Sequence, residues 1–317
     1  MQQRELGSSG VSVGAVGLGC MEMSWAYTDG QRDDAASIAV IHRAIGLGVS
    51  LIDTADMYGP FANEELVGKA LHRHRDKVIL ATKGGVIVDD PATHATSHNG
   101  RPEHLKAAVE ASLRRLQTEY TDLYYLHRVD PDVPLEETWG AMASLVETGK
   151  VRFLGISEAT IGQLDRAHAI YPITAVQSEL SLWTRDPLSD AVPWCVAHGA
   201  AFVPFAPLGR GFLTGTIQSA SFAASDLRSH NPRFTPDAVA ANQAIVDRVR
   251  AVADRVGATP AQVAIAWTLA QGNRVIPIPG TRQLHYLEEN VAAGSVTLGD
   301  EDLAALDQIP SAHGSRY

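Results

Sequence analysis

Short apolar runs alternate with longer amphipathic stretches along most of the chain. Counted from Ala15, eight runs consist mainly of hydrophobic residues, which is typical of short strands buried in a parallel sheet. Between these runs, apolar residues recur three or four positions apart, which is the spacing of an amphipathic helix. The predicted strands are a glycine-rich segment ending near Cys20 and Met21, then Val49 to Ile52, 78–83, 123–127, 151–157, 175–181, 201–208 and 275–280.

Capping residues mark the ends of the intervening helices. Asp33 can cap the first helix, and Pro102 stands at the start of another, where its missing N–H removes no helical hydrogen bond. Glu64 and Glu65 lie in the first turn of the second helix, where the helix dipole favours acidic side chains. The predicted helices cover 33–47, Asn63 to His72, Pro102 to Leu116, Pro134 to Glu147, Thr160 to Ile170, Leu188 to His198, 237–256, 260–271, Arg282 to Ala293 and 300–308.

Alternating strands and helices require a parallel sheet, because each helix carries the chain back to the start of the next strand. Eight such units in 317 residues favour a closed (β/α)8 TIM barrel, and a doubly wound open sheet is the alternative. The chain around Gly7 to Gly10 predicts a hairpin ahead of the barrel. Because no linker or shift in composition divides the chain, we expect a single α/β domain over residues 1–317.

Two long connections lack a regular pattern. The segment from Gly84 to Gly100 contains Gly, Pro, Thr, Ser and His, and we expect a polar loop there. The stretch from Gly209 to Pro236 follows the seventh strand and also favours a loop. Long loops of this kind often carry function in compact domains, so both segments are candidates for covering a site.

Composition narrows the class of protein. A hydrophobic fraction of 45% is ordinary for a globular chain, and a net charge of −10 opposes binding to the phosphate backbone of nucleic acid. Two cysteines, Cys20 and Cys195, are too few for a disulfide framework and favour a reducing compartment. We see neither a signal peptide nor an apolar run of membrane-spanning length. These features predict a cytoplasmic protein with no nucleic-acid or membrane partner.

Reactive side chains stand at the ends of several predicted strands. Asp53, Lys83 and His127 each close an apolar run, and Tyr58 follows Asp53 in the next loop. Taken singly, the first three have ordinary interpretations as a helix cap, a solvated lysine and a buried histidine. Together they predict an active site, because barrels of this class place their chemistry at the carboxyl ends of the strands. Further side chains at the same edge are Ser157, Gln177 and Phe205.

The chemistry follows from the pairing of charges. A buried lysine needs a partner for its charge, and Asp53 is the natural partner of Lys83. An ammonium group near Tyr58 favours phenolate, so we expect the pKa of Tyr58 to lie below its ordinary value of about 10. Such a tyrosine can give a proton to a developing alkoxide, and His127 can donate a hydrogen bond to the same oxygen. The arrangement suits hydride transfer from a cofactor to a carbonyl carbon.

A series of motifs runs in order through nearly the whole chain. They are D-x-A-x-x-Y-G from Asp53 to Gly59, the strand-end Lys83, LHRVD around His127, GISE at 155–158, VQSEL around Gln177, PLGRGFLTG at 207–215 and PGTRQLHYLEEN at 279–290. This series resembles the aldo-keto reductase family, and LHRVD and LGRG resemble its bacterial and potassium-channel-β-like branches. The resemblance implies a (β/α)8 barrel with an amino-terminal β-hairpin, here 4–13, closing the bottom. It also implies NADPH-dependent reduction of aldehydes and ketones to alcohols.

The same resemblance implies a role for each matching residue. Tyr58 matches the general acid, and Lys83 and Asp53 match the pair that tunes it. His127 matches the residue that orients the substrate, and Phe205 an aromatic ring stacked on the nicotinamide. The implied cofactor contacts also include Ser157, Glu158 (asparagine in many members) and Gln177 at the carboxamide, Leu208, Gly209, Arg210 and Gly211 in the glycine-rich turn, and Gly280, Thr281, Arg282, Glu289 and Asn290 at the adenosine phosphate.

The segment after the last strand favours NADPH over NADH. Thr281 and Arg282 carry a hydroxyl and a guanidinium that suit a phosphate, and we expect a helix to start there with free N–H groups. No carboxylate suited to a free ribose hydroxyl lies between Gly280 and Tyr286. A G-x-G-x-x-G fingerprint is missing from every strand-to-helix junction, which disfavours a Rossmann site.

Two other functions would use some of the same residues. One is a nucleotide-sensing regulatory subunit with slow turnover, and the other is an aldolase that uses Lys83 as a Schiff base. Trp25, Met57 and Trp183 lie in predicted loops and are candidates for the wall of a substrate pocket. We expect a small carbonyl compound as the partner. We expect no metal site, because the pairs His72/His74 and His94/His98 lack cysteine or paired acidic neighbours. The pattern indicates no particular oligomeric state.

Overall fold

The computed structural model describes residues 1–25, 27 and 32–316. Its strands are β1 (Gln3–Glu5), β2 (Ser12–Gly14), β3 (Leu18–Gly19), β4 (Leu51–Asp53), β5 (Ile79–Gly84), β6 (Val86–Asp90), β7 (Ala95–His98), β8 (Thr121–Leu126), β9 (Val151–Ser157), β10 (Ala175–Glu179) and β11 (Ala201–Phe205). Its helices are α1 (Asp34–Gly46), α2 (Ala62–Leu71), α3 (Pro102–Leu116), α4 (Leu135–Glu147), α5 (Ile161–Ile170), α6 (Ala191–His198), α7 (Pro236–Val256), α8 (Pro260–Ala270), α9 (Leu284–Ala292) and α10 (Asp300–Asp307). Among these described residues, no helix combines the length and the apolar character needed to cross a membrane.

Seven parallel strands lie side by side in the order β3-β4-β5-β8-β9-β10-β11 and form the wall of a barrel. Neighbouring residues of a strand point to opposite faces, so Tyr125 joins the interior cluster while Tyr124 packs with the helices outside. The antiparallel hairpin β1–β2 lies at the bottom, where Leu6 and Val13 belong to the same interior cluster. The predicted (β/α)8 architecture with its amino-terminal hairpin is confirmed.

The predicted eighth strand, 275–280, closes the barrel without forming a regular ladder. Ile276 and Ile278 donate their N–H groups to the carbonyls of Phe202 and Pro204 in β11, at 2.9 and 3.0 Å. On the other side, the carbonyls of Pro277 and Pro279 accept from Gly17 and Gly19, at 2.9 and 3.4 Å. Because proline has no N–H group, Pro277 and Pro279 can only accept hydrogen bonds along this second edge.

Several predicted elements differ from the structure. The strand expected over 201–208 ends at Phe205, and the helix expected from Leu188 begins at Ala191. The segment 84–100 is not an irregular loop, because β6 and β7 pair in it as an antiparallel hairpin. Its turn is stabilised by Asp90, whose carboxylate accepts the N–H of Ala92 and the hydroxyl of Thr93, both at 2.9 Å. The last wound helix begins at Leu284, two residues later than expected, because Gln283 has an extended backbone.

Candidate active site

The side chains predicted to form a site lie along the carboxyl half of the barrel strands. Asp53 ends β4, and Lys83 is the next-to-last residue of β5. His127 directly follows β8, and its N–H continues the ladder by donating to Gly84 at 2.9 Å. The barrel therefore brings residues that are far apart in the sequence to one rim. The remaining strand residues are Ser157 at the end of β9, Gln177 in the middle of β10 and Phe205 at the end of β11.

Lys83 and Asp53 form an ion pair inside the barrel. Lys83 is 0% exposed and Asp53 is 3% exposed, so both charges are withdrawn from water. Lys83 Nζ also donates to the carbonyl of Thr54 at 2.9 Å, and Gln177 Nε2 donates to the second oxygen of Asp53 at 2.8 Å. Such additional hydrogen bonds are what allow a buried ion pair to offset the loss of hydration. The ammonium group is thereby fixed in position.

The hydroxyl of Tyr58 lies beside this ammonium group, 3.2 Å from Lys83 Nζ. The ring of Tyr58 meets the ring of His127 edge to face, with centroids 5.9 Å apart and an interplanar angle of 82°. Burial raises the pKa of Tyr58 by more than the charge of Lys83 lowers it. The expectation of a pKa below the ordinary value is therefore wrong, and Tyr58 keeps its proton at neutral pH.

Of the two neighbours of Tyr58, one is charged and the other is neutral. Burial by itself lowers the pKa of Lys83, but the charges of Asp53 and Tyr58 and their hydrogen bonds raise it overall, so Lys83 stays an ammonium. Burial, with smaller contributions from Arg128 and Lys83, lowers the pKa of His127 well below its ordinary value. His127 is therefore a neutral imidazole at physiological pH, able to donate one hydrogen bond.

The side chains of Ser157 and Glu158, at the end of β9, contact different parts of the protein. The hydroxyl of Ser157 is buried and accepts from Arg128 Nη1 at 3.2 Å. Glu158 has a left-handed backbone, with φ of 55°, and its side chain turns toward β10. One carboxylate oxygen accepts from Ser178 Oγ at 2.7 Å and from the N–H of Glu179 at 3.1 Å, and the other pairs with Arg316. Both carboxylate oxygens of Glu158 therefore bond to groups other than Ser157.

The turn after β11 depends on backbone conformations that favour glycine. Gly209 and Gly211 have φ of 57° and 90°, and a Cβ on Gly209 would lie 2.7 Å from the ring of Trp183. Trp183 is only 4% exposed and stacks on Phe212 with ring centroids 5.0 Å apart. It supports this turn, which disfavours its predicted role as a pocket wall. The N–H groups of Gly209 and Gly211 already bond to Ala206 and Leu208, at 2.9 and 3.1 Å.

The predicted pocket residues Trp25 and Met57 do gather beside Tyr58. They form an apolar cluster that draws on four separate segments. The ring of Trp25 meets the ring of His94 edge to face, with centroids 4.8 Å apart, and His94 Nε2 lies 3.2 Å from the carbonyl of Ser225. Val88 and His94 come from the segment 84–100, which was expected to cover the site. Sequence reasoning missed Tyr27, from the loop after β3, and Leu227, from the long loop after β11.

The segment expected to bind the adenosine phosphate lies between the closing strand and α9. Thr281 is 3% exposed, and its hydroxyl accepts the N–H of Gln283 at 3.1 Å. Asn290 is buried on α9, and the carbonyl of Glu289 accepts from Gln262 Nε2 at 3.4 Å. Glu22, which sequence reasoning overlooked, reaches this segment from the loop after β3, and the N–H of Arg282 donates to its carboxylate.

Phe205 and Gly280 are two of the residues predicted to contact the cofactor. Phe205 is partly exposed although it borders the buried barrel interior. Gly280 permits close approach at the far end of the rim, because a Cβ there would lie 3.2 Å from the carbonyl oxygen of Gly19.

Comparisons with known proteins agree with this geometry. A model of the Aldo/keto reductase family matches residues 15–310. Probable aldo-keto reductase 1 from Glycine max is 43% identical over 323 residues, which cover 100% of this chain and 92% of that protein. The glycerol dehydrogenase AKR11B4 from Gluconobacter oxydans superposes with a TM-score of 0.86 at 30% identity, covering 97% of this chain and 94% of that one. An aldo/keto reductase from Klebsiella pneumoniae, solved with NADP and acetate, gives 0.76 at 27% identity, covering 100% and 99%.

Proposed function

This chain belongs to the aldo/keto reductase family, and we propose that it reduces aldehydes and ketones to alcohols with NADPH, using Tyr58 as the general acid. The observation that carries the proposal is the position of the Tyr58 hydroxyl, 3.2 Å from an ammonium group that Asp53 holds in place. A tyrosine placed next to a buried, charged lysine, with a neutral imidazole nearby, has the parts needed to protonate an oxygen that develops negative charge.

Each residue of the group has a distinct part in the reaction. Bound NADPH supplies the hydride. The hydroxyl of Tyr58 gives its proton to the carbonyl oxygen as that oxygen becomes an alkoxide, and the ammonium of Lys83 stabilises the phenolate that is left. Asp53 keeps Lys83 charged, and His127 donates a hydrogen bond that orients the same oxygen. General-acid catalysis of this kind contributes about 10²–10⁴ to the rate.

Cofactor binding would use the residues spread along the rim. We assign the nicotinamide to the ring of Phe205 and to Ser157 and Gln177, and the adenosine phosphate to Thr281 and Arg282. Glu158 is left out of this assignment, because both of its oxygens bond to other groups. Further proposed contacts are Leu208, Gly209, Arg210 and Gly211 in the turn, with Gly280, Glu289 and Asn290 around the adenosine.

The apolar cluster beside Tyr58 indicates the class of substrate. Trp25, Met57 and Leu227 surround the site with hydrophobic surface. An apolar wall gains free energy when it covers an apolar ligand, so we propose that aromatic and aliphatic carbonyl compounds bind better than charged ones.

The Schiff-base alternative does not suit the state of Lys83. Imine formation needs a neutral amine, and the hydrogen bond and charge of Asp53 hold Lys83 as an ammonium. Borohydride treatment with a carbonyl substrate should therefore leave Lys83 unmodified, which mass spectrometry of a tryptic digest can establish.

The reductase proposal is tested by following NADPH absorbance with a panel of aldehydes and ketones. We expect multiple turnovers, fastest with apolar and aromatic substrates. Stopped-flow measurement of a single turnover from bound NADPH separates an enzyme from a cofactor sensor, since a sensor would transfer its hydride slowly with every member of the panel. Failure to consume NADPH with any carbonyl compound would contradict the proposal.

Arg282→Ala tests the preference for NADPH over NADH. A charge-assisted hydrogen bond contributes about 1.5–3 kcal/mol, so losing it should weaken NADPH binding by roughly 10- to 100-fold. NADH lacks the 2′-phosphate, and its affinity should change far less. Calorimetric titration of both cofactors measures the difference. Arg43→Ala is a matched control, because Arg43 pairs with Glu288 at the protein surface. Equal losses of affinity for NADPH and NADH would show that Arg282 does not bind the 2′-phosphate.

A further inference from the structure

Glu22 lies where the proposed phosphate site and the first barrel loop meet. It occupies the middle of the short helical turn Met21–Met23 that follows β3. A Cβ built on Gly280 would lie 3.7 Å from Glu22 Cγ and 3.8 Å from Glu22 Cδ, so the carboxylate rests against the segment 280–282. The closing of the barrel thus brings Glu22, which follows β3, next to the residues that we assign to the phosphate, although the two segments are distant in sequence.

The partners of this carboxylate are the same groups that a phosphate would use. The backbone N–H of Arg282 donates to Glu22, and the guanidinium groups of Arg282 and Arg228 favour its charged form. Arg228 comes from the long loop after β11, where it pairs with Asp226 and lies 5.0 Å from the centroid of the Tyr27 ring. The hydroxyl of Tyr27 also lies within the field of Glu22.

One N–H group and one guanidinium cannot serve two anions equally well. A phosphate at Arg282 would have to share these donors with the Glu22 carboxylate and would be repelled by its charge. The adenosine 2′-phosphate is the group that distinguishes NADP from NAD, and Arg282 is the residue assigned to it above. The effect of Glu22 should therefore fall on NADP and leave NAD nearly unchanged.

We propose that Glu22 is an internal competitor for the cofactor 2′-phosphate and narrows the preference of this enzyme for NADP over NAD. The proposal rests on the proposed function, since it assumes that Arg282 receives this phosphate. Binding of NADP then requires Glu22 either to turn away from Arg282 or to take up a proton. Glu22 is a specificity-determining residue in this sense and has no part in the chemical step.

The test is calorimetric titration of NADP⁺ and NAD⁺ into the wild type and Glu22→Gln. Glutamine keeps the shape of the side chain and removes its charge. At about pH 8 we expect NADP⁺ to bind roughly tenfold more tightly to the variant, because a gain of this size corresponds to one charge-assisted hydrogen bond. The affinity for NAD⁺ should stay within about twofold of that of the wild type. Glu288→Gln on α9 is the matched control, because it removes the same charge from the surface.

A second measurement varies the pH. Burial raises the pKa of Glu22 above its ordinary value, against the opposing effect of Arg282 and Arg228. Glu22 therefore becomes neutral as the pH falls through that raised pKa, and its competition ends. The advantage of Glu22→Gln should accordingly shrink as the pH falls through that raised pKa. Protonation of the phosphate itself affects both proteins alike and leaves this comparison unchanged.

Several outcomes would overturn the inference. Equal NADP⁺ affinities in the wild type and Glu22→Gln would show that Glu22 does not compete with the phosphate. An equal gain in NADP⁺ affinity in Glu288→Gln would show that the effect comes only from the net charge of the protein. Weaker NAD⁺ binding to Glu22→Gln would identify the carboxylate as an acceptor for the ribose hydroxyl instead. Lack of NADP⁺ binding in all variants would refute this inference and the cofactor assignment together. Tighter NADP⁺ binding without carbonyl reduction would refute the proposed activity and leave the role of Glu22 standing.

Discussion

Replacing Tyr58 with phenylalanine should lower kcat for carbonyl reduction by about 10²–10⁴, the contribution expected of a positioned general acid. The substitution removes only the hydroxyl, which lies 3.2 Å from Lys83 Nζ. The ring remains, and with it the packing against Trp25 and Ala55. The fold and NADPH binding should therefore stay close to those of the wild type, so the loss belongs to the chemical step.

Single-turnover stopped-flow measurement with saturating NADPH isolates that step. Tyr125→Phe is the matched control, because Tyr125 is also fully buried and its ring centroid lies 6.0 Å from Lys83 Nζ. The control should reduce substrates at nearly the wild-type rate. If Tyr58→Phe turned over within a few-fold of the wild type, another group would have to be the acid.

The position of the reactive side chains along the rim could be predicted, because the ends of buried strands can be recognised in a sequence. Asp53, Lys83 and His127 each terminate an apolar run, and parallel strands present such ends on the same side of a barrel. The structure brings all three within reach of Tyr58. Periodicity also sufficed for the helices, whose amphipathic spacing is set by local geometry.

Features that depend on contacts between distant segments were not predictable in this way. The segment 275–280 was predicted as a strand, but the sequence did not reveal how it closes the barrel, with Ile276 and Ile278 donating to β11 and Pro277 and Pro279 accepting from Gly17 and Gly19 on the other side. The proximity of Glu22 to Arg282 likewise arises from barrel closure, which no spacing in the sequence reveals. The hairpin β6–β7 was missed because polar residues obscure its alternation.

The pKa of Tyr58 shows why residue types alone do not fix electrostatics. The sequence indicates a lysine near a tyrosine, and that pairing lowers the pKa of a tyrosine. The sequence does not show how much water is removed from the hydroxyl. Burial outweighs the charge of Lys83 in this site and reverses the direction of the shift. A raised pKa suits the reductive direction, because the acid must still carry its proton at the pH of the reaction.

Lys83→Met should affect both catalysis and stability, for separate reasons. Removing the ammonium takes away the group that stabilises the phenolate of Tyr58, so we expect kcat to fall by at least about a hundredfold. Since Lys83 is the main charge that lowers the pKa of Tyr58, the alkaline limb of any residual activity should move to higher pH. The substitution also leaves Asp53 buried without its partner, which costs about 3–5 kcal/mol of folding free energy.

A double variant separates these two effects. Adding Asp53→Asn to Lys83→Met removes the unpaired charge, and its amide can still accept from Gln177 Nε2, which donates to Asp53 at 2.8 Å in the wild type. Urea denaturation should therefore show that the double variant regains most of the stability lost in Lys83→Met. Its kcat should remain low, because no ammonium faces Tyr58. Recovery of activity together with stability would mean that Lys83 only supports the fold, and an unchanged pH profile in active Lys83→Met would refute its coupling to Tyr58.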